Sequence, residues 1–157
     1  MRLWEVSGWC PLAGRRADRD DEYFEALTAA VFSCRFSSEV VRARWPSIRA
    51  AFAGFSLPAV ARWPDDEVDR LLLGPGIIRN RKKILATLRN ARDLLARSQL
   101  HGSVHAYVEM FRPDVEALVR ELDGWAHYIG APSLRGFVRC AGITTAWSRA
   151  HRNHPAP

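Results

Sequence analysis

Apolar residues recur along most of the chain at intervals of three or four, which is the period of an amphipathic helix. No stretch alternates between apolar and polar residues in the way that a half-buried β-strand requires. The longest pattern predicts a helix over residues 77–98. Its buried face would carry Ile78, Ile84, Leu88, Ala91 and Leu95. We therefore expect a protein built from helices, with this segment as its longest element.

A second pattern, earlier in the chain, predicts a helix that Asp20 or Asp21 caps and that ends near Cys34. Its apolar face would consist of Phe24, Leu27, Val31 and Phe32. Ser37 or Ser38 caps the next predicted helix, in which Pro46 implies a kink or a break. The apolar residues at helical spacing in that helix are Val40, Val41, Ile48 and Phe52.

Shorter helices follow, each marked near its start by a Ser, Pro or Asp residue. The predicted starting points are Ser56, Pro64, Ser103, Pro113 and Pro132 or Ser133, and a last helix after Gly142 reaches about His151. Together these elements predict an all-α fold, an orthogonal bundle of short helices with a helix-hairpin-helix motif. We expect an irregular arm over residues 1–19, the helical domain over residues 20–152 and a tail over residues 153–157. The arm contains Trp4 and Trp9, which would either pack against the core or stack on a ligand.

The segment Leu71–Ala91, LLLGPGIIRNRKKILATLRNA, is the most informative part of the chain. An apolar run ends at Gly74-Pro75-Gly76, where glycine permits positive φ and proline fixes one dihedral angle. We expect a helix, a short glycine hairpin and a second helix that begins at Ile77. The first backbone N–H groups of such a helix have no partner, and the helix dipole favours an anion there.

Cationic residues fill the first turns of this second helix, so the hairpin is a candidate site for a phosphate of a nucleic-acid backbone. The predicted backbone-binding set is Gly74, Gly76, Ile77, Arg79, Asn80, Arg81, Lys82 and Lys83. An ordinary connection between two helices with a solvated basic face is the alternative. The formal charge of +6 and the pI near 9.9 suit a polyanionic partner but do not identify one.

The three cysteines, Cys10, Cys34 and Cys140, are odd in number, lie far apart and form no CxxC pair. This pattern predicts a reduced, cytoplasmic chain without a disulfide framework. We expect no metal site and no cofactor. No apolar run is long enough for a membrane span, so we expect a chain that does not bind membranes. We also expect a monomer.

A longer stretch of the chain, residues 23–95, matches a known family without a gap. The match includes Phe24-Glu25, residues 48–52 and residues 66–71, and it is densest at residues 75–81 with Lys83-Ile84 and residues 90–92. A weaker match returns from Tyr128-Ile129-Gly130 to Gly142. In these residues the chain resembles the bacterial DNA-3-methyladenine glycosylase I family, within the helix-hairpin-helix glycosylase superfamily.

The resemblance implies double-stranded DNA as the partner and base-excision repair as the function. Members of the family flip an alkylated base out of the duplex and break its N-glycosidic bond. The base, 3-methyladenine, is cationic in DNA and is therefore already a good leaving group. Aromatic faces that hold it gain from cation–π attraction.

The chain departs from the family where this chemistry would occur. Ala30 stands at the position of the base-contacting glutamate. Ser38 replaces a tryptophan beside the base, and Arg35 replaces a glycine. The histidines and cysteines that hold a structural zinc in the family are missing, and Trp147 stands where one of those histidines would be.

The resemblance therefore predicts a base pocket formed by Ala30, Cys34, Arg35 and Ser38, but the catalytic residue stays unknown. Glu39 and Glu25 are weak candidates, and each has a structural alternative: a charge near a helix N-terminus for Glu39 and a scaffold residue for Glu25. Phe32 and Phe36 would flank this pocket or belong to the core. Arg35 would repel a cationic base if it pointed into the pocket. Three functions stay open: a divergent glycosylase, a DNA-binding module that has lost base excision, and a scaffold that binds another ligand.

Overall fold

The computed structural model describes residues 9–152, with the side chains of residues 9–149. Over this range the chain forms nine α-helices and no strand, which confirms the all-α prediction. The helices are α1 (Asp20–Ser33), α2 (Ser38–Ala51), α3 (Leu57–Ala61), α4 (Glu67–Leu72), α5 (Arg81–His101), α6 (Val104–Glu109), α7 (Val115–Asp123), α8 (Ala131–Cys140) and α9 (Ile143–Arg152). A 3₁₀ turn, Ala53–Phe55, joins α2 to α3. None of the helices within the described range has the length and apolar character needed to cross a bilayer.

Helix α1 forms the centre of the bundle. It is buried around nearly its whole circumference from Tyr23 to Phe32, whereas an amphipathic surface helix buries only one face. It packs against α2, α3, α5, α6 and α8. The positions of these five helices are therefore set by their packing against α1.

The two aspartates at the start of α1 do not cap it, because Arg19 occupies the N-cap position. Instead, Asp20 Oδ1 accepts a hydrogen bond from the Val104 N–H at the start of α6, with an N···O distance of 2.9 Å. Asp21 Oδ1 accepts one from the Leu57 N–H at the start of α3, also at 2.9 Å. The start of the helix was thus predicted correctly, but the prediction that Asp20 or Asp21 caps it is wrong, because each carboxylate accepts from the first turn of another helix.

At Pro46 the alternative of a break is excluded, and the predicted start of α5 is corrected. Helix α2 continues through Pro46 without a break, and the N-cap Ser37 accepts a hydrogen bond from the Val40 N–H. Helix α5 begins at Arg81 and not at Ile77, because Asn80 has extended backbone angles and its side chain accepts from the Lys83 N–H at 3.1 Å. Ile77 is still buried, but in the irregular segment that precedes α5.

Aromatic rings in contact with one another run through one half of the core. Trp9 from the arm meets Trp45 edge-on at 5.1 Å between ring centroids, and Trp45 stacks on Phe55 at 5.2 Å. Phe55 contacts Phe52, and Phe52 contacts Phe32. Phe32 and Trp9 therefore pack with the core, while Trp4 lies outside the described residues.

A disulfide between Cys10 and Cys140 connects the arm to the last residue of α8. The prediction that the chain contains no disulfide is therefore wrong. The two cysteines are 130 residues apart, so only the tertiary fold brings them together. Next to the disulfide, the Ala17 N–H donates to the Ala141 carbonyl at 2.9 Å. A Cβ at Gly142 would lie 3.0 Å from the Arg16 Cα, so this contact between arm and bundle needs glycine.

The disulfide gives the first testable prediction. Replacing Cys10 and Cys140 with Ser should lower the free energy of unfolding by about 3–5 kcal/mol, because the bond closes a loop that spans most of the chain. Denaturant titration measures this loss, and Cys34→Ser is the control that leaves the disulfide intact. Thiol titration of the unfolded, unreduced protein should find one free thiol, that of Cys34. Three free thiols in unreduced protein would contradict the disulfide.

Candidate nucleic-acid interface and base pocket

The hairpin loop, residues 73–80, joins α4 to α5 in a tight bend. The Gly74 N–H donates to the Leu71 carbonyl at 3.0 Å and closes α4. Gly76 has a φ of +73°, and a Cβ there would lie 2.7 Å from the Cβ of Ser47 on α2. The bend therefore requires glycine at position 76 for its backbone angle and for its contact with α2. Gly74, by contrast, is not at positive φ.

Several backbone N–H groups of the hairpin loop are free of partners in the described chain. The N–H groups of Gly76, Ile77 and Arg79 donate no hydrogen bond within it, whereas that of Asn80 donates to the Ile78 carbonyl at 2.9 Å. Unpaired amides in a surface loop can bind an anion. The loop thus keeps the donors that the sequence predicted, although they precede α5 and do not form its first turn.

Only some of the side chains around these amides are free to contact a phosphate. Arg79 and Lys82 are exposed, and neither forms an ion pair within the described residues. Arg81 is also exposed, but its guanidinium binds the Asp69 carboxylate of α4. Asn80 uses its side-chain oxygen as the N-cap of α5. Two of the four predicted cations, Arg79 and Lys82, are therefore free to meet a phosphate.

Lys83 is placed differently from its basic neighbours. Its side chain is only 2% exposed, and its Nζ donates to the carbonyl oxygens of Phe32 at 2.7 Å and Cys34 at 2.8 Å. These carbonyls belong to the C-terminal end of α1, where the helix dipole favours a cation. Burial lowers the pKa of the Lys83 ammonium. This placement removes Lys83 from the predicted backbone-binding set.

Two exposed aromatic rings flank this ammonium, and we call Phe36, Lys83 and Tyr128 the Lys83 cluster. Nζ lies 5.0 Å from the ring centroid of Phe36 and 5.7 Å from that of Tyr128. Both distances are within the range of cation–π attraction. Phe36 was predicted to lie at the pocket or in the core, and it lies at the surface. Tyr128 was missed as a site residue, although the weaker family match begins at this residue.

The loop that carries Tyr128 is held by polar contacts from α5. Asn90 Oδ1 accepts from the His127 N–H at 2.7 Å, and a second hydrogen bond joins Asn90 Nδ2 to the His127 carbonyl. The His127 ring lies 2.7 Å from the Asp93 carboxylate. Tyr128 itself has a φ of +78°, which is unfavourable for a residue with a large side chain. The surrounding contacts therefore fix the backbone that points Tyr128 toward Lys83.

The predicted base-pocket residues lie at the turn from α1 to α2. Ala30 is half-buried one helical turn before Cys34, whose N–H donates to the Ala30 carbonyl at 3.1 Å. Arg35 is exposed with a φ of +54°, and Ser38 is the half-buried first residue of α2. The Cys34 carbonyl binds Lys83, so the Lys83 cluster borders this turn.

The two candidate carboxylates differ in their surroundings. Glu25 is 8% exposed, and Glu25 Oε1 accepts from Trp45 Nε1 at 3.0 Å and from Arg49 Nη1 at 2.7 Å. These contacts support a scaffold role for Glu25. Glu39 is exposed in the first turn of α2, as expected for a charge near a helix N-terminus.

Glu25 also borders a polar cleft of about 410 Å³ at the opposite end of α1. The cleft is lined by Pro11, Arg15, Arg19, Asp21, Glu22, Glu25, Arg49 and Gly54. Its three guanidinium groups pair with its three carboxylates, so the cleft carries no excess charge of either sign.

The described residues contain no cluster of side chains that would hold a metal ion. Trp147 stands where the family resemblance would place a zinc-binding histidine. Its side chain is buried in α9, and its Nε1–H donates to Glu109 Oε1 at 3.3 Å. Cys10 and Cys140 are bonded to each other, so neither sulfur is present as a thiolate that could bind a metal.

The fold and the loop define an all-α protein in which a glycine hairpin joins two helices beside a turn with exposed aromatic rings. The family model described as methyladenine glycosylase matches residues 12–127, and the chain belongs to this family.

Solved structures of 3-methyladenine DNA glycosylase I are similar to this chain. One crystal structure has 25% sequence identity and a TM-score of 0.71, over 86% of this chain and 91% of that one. The Staphylococcus aureus protein has 20% identity and a TM-score of 0.74, over 85% and 86% of the two chains. A tyrosine-to-phenylalanine variant of the glycosylase in complex with 3-methyladenine has 19% identity and a TM-score of 0.73, over 85% and 87%.

Because Lys83 is buried and Lys82 is exposed, replacing the two lysines should have different effects on the free energy of unfolding. Lys83→Met should lower the free energy of unfolding by about 1–3 kcal/mol, because two buried carbonyls lose their donor. Lys82→Met, the matched control at an exposed position, should change it by less than about 0.5 kcal/mol. Thermal or denaturant unfolding measures both, and equal effects would contradict the buried role of Lys83.

Proposed function

We propose that this protein is a DNA glycosylase that releases an alkylated base from double-stranded DNA by hydrolysing its N-glycosidic bond. The observation that carries the proposal is the hairpin loop, which combines unpaired amides with free cations in a chain of the methyladenine glycosylase family. The similar solved proteins are 3-methyladenine DNA glycosylases. The base pocket would lie at the α1–α2 turn.

The hairpin loop would bind the DNA backbone without reading the sequence. The N–H groups of Gly76, Ile77 and Arg79 would donate to phosphate oxygens, as they have no acceptor in the described chain. The side chains of Arg79 and Lys82 would add charge-assisted contacts. Because Gly76 packs closely against Ser47, the loop that would bind the phosphate is in contact with α2, the helix that follows the proposed base pocket.

Base release needs little covalent chemistry from the protein. The bond between C1′ and the base nitrogen breaks, the electron pair leaves with the base, and water adds to C1′ as it loses a proton. The protein has to unstack the base and hold it against apolar or aromatic faces, with C1′ open to the attacking water. Phe36 and Tyr128 are exposed aromatic rings near the turn and would provide such faces.

A DNA-binding module without base excision is the second candidate, and one observation favours it. Ala30 presents a methyl group at the family's glutamate position, and the nearby acid Glu25 is already engaged by Trp45 and Arg49. A protein of this kind would bind duplex DNA through the hairpin loop and release no base.

DNA binding through the hairpin loop is tested by its salt dependence. Replacing Arg79 and Lys82 with Ala should weaken binding to any duplex and lower the slope of log K against log salt by about one to two, since fewer counterions are released. Fluorescence anisotropy at several salt concentrations measures the slope. The control replaces Arg120 and Arg139 of α7 and α8 with Ala, which removes the same charge. Equal slopes for the two double variants would exclude the loop as the anchor.

Base excision is tested with methylated duplex DNA, scored for free base and for abasic sites. The unmodified protein should release base above the rate without enzyme, and Ala30→Glu with Ser38→Trp should increase release of 3-methyladenine by about tenfold, the effect of one charge-assisted hydrogen bond. Ala43→Glu, at an exposed position of α2, is the charge-matched control. DNA binding without release by the unmodified protein would support the second candidate instead.

A further inference from the structure

The exposed surface of α2 lies beside the hairpin loop. Gly76 approaches this helix so closely that a Cβ added there would lie 2.7 Å from the Cβ of Ser47. Residues three or four apart are neighbours on a helix surface, with about 5–6 Å between their Cβ atoms. Arg44 and Val40 therefore continue the line that begins at Ser47, and this line leads back to the α1–α2 turn. We call Val40, Arg44 and Ser47 the α2 strip.

A second contact aligns the hairpin region with the other end of the α2 strip. The Lys83 ammonium, in the first turn of α5, binds the Phe32 and Cys34 carbonyls just before the α1–α2 turn. From that turn to the Gly76 contact, residues 38–47 of α2 span about 13 Å at 1.5 Å per residue. One strand of B-DNA advances about 3.4 Å per nucleotide along its axis, so this distance corresponds to about four nucleotides. A strand held by the hairpin loop would therefore pass over the α2 strip to reach the turn.

The α2 strip carries a positive charge that no neighbouring acid neutralises. Arg44 is exposed and forms no ion pair within the described residues. The other two residues of the strip, Val40 and Ser47, are uncharged. The acid of α2, Glu39, lies about 140° from Arg44 around the helix axis. A free guanidinium in this position can donate two parallel hydrogen bonds to a phosphate.

Arg42 provides an internal comparison on the same helix. It is also exposed, and it also lacks an ion pair in the part of the chain that the structure describes. Arg42 lies about 160° from Arg44 around the helix axis, so the two guanidinium groups start from opposite sides of the buried face of α2. Only Arg44 lies on the side of Ser47 that leads to the α1–α2 turn along the hairpin loop.

We propose that Arg44 binds a backbone phosphate that lies between the phosphate held by the hairpin loop and the nucleotide that enters the α1–α2 turn. This inference rests on the proposed function, since it takes duplex DNA as the ligand and that turn as the base pocket. It assigns to the same DNA strand a residue outside the hairpin loop. Arg44 is a positioning residue: it fixes which nucleotide reaches the turn, without touching the base.

The test neutralises single phosphates of the DNA. A set of duplexes carries a tetrahydrofuran abasic analogue at one fixed position, and each duplex has one uncharged methylphosphonate among the phosphates that flank the analogue. Fluorescence anisotropy gives the affinity of the unmodified protein for each duplex. We expect one methylphosphonate near the analogue to weaken binding by about tenfold, because it removes the charge-assisted contact with Arg44.

Variants assign that phosphate to Arg44. In Arg44→Ala the same methylphosphonate should change the affinity by less than about twofold, because the contact is already lost. Arg44→Ala should also lower the slope of log K against log salt by about one. Arg42→Ala, the matched control, removes the same charge and should keep both the slope and the methylphosphonate profile. Both positions are exposed, so thermal unfolding should show that both variants fold like the unmodified protein.

The hairpin loop and Arg44 should respond to different phosphates. The double variant with Ala at Arg79 and Lys82 should lose sensitivity to another methylphosphonate and keep sensitivity to the one assigned to Arg44. Identical profiles for the unmodified protein and Arg44→Ala would overturn the inference, as would loss of the same contact in Arg42→Ala.

These affinities are measured separately from base release. A profile that depends on Arg44, in a protein that releases no methylated base, would sustain this inference while contradicting the proposed enzyme activity. Release of methylated bases together with a profile that does not depend on Arg44 would do the reverse. Failure of the unmodified protein to bind any of the duplexes would contradict both.

Discussion

The contact between the Lys83 ammonium and the end of α1 connects the two parts of the proposed site. It joins the first turn of α5, directly after the hairpin loop, to the turn that precedes α2. A buried cation is costly to desolvate, and here two carbonyls and the helix dipole offset that cost. The Lys83 side chain therefore helps to fix the loop that would hold a phosphate relative to the turn that would hold a base, together with the contact of Gly76 with α2.

Much of the fold was predictable because it depends on local chemistry. The periodic apolar residues located α1 and α5. The position before an apolar run identified Ser103 as a cap and limited the cap of α2 to Ser37 or Ser38, of which Ser37 is the cap. The start of α5 was not predictable in this way. Ile77 fits a helical pattern, but it is buried in the irregular segment before α5, next to Gly76, whose close approach to α2 is a tertiary contact.

The candidate site was predicted less completely than the fold. A lysine inside a run of Arg and Lys indicates an exposed basic face, and only the approach of the α1 carbonyls distinguishes Lys83 from Lys82. Tyr128 lies in a loop more than forty residues further along the chain, and its conformation depends on Asn90 and Asp93 of α5. The absence of a carboxylate at Ala30, in contrast, was visible in the sequence itself.

The disulfide between the arm and α8 has a topological consequence. It turns the polypeptide between Cys10 and Cys140 into a covalent ring, and the hairpin loop is part of that ring. A protease that cuts the exposed tip of the loop near Leu73 would open the ring without separating the two pieces. The two pieces would stay covalently joined until a reductant cleaved the disulfide, so the chain tolerates one break in this loop without losing either half.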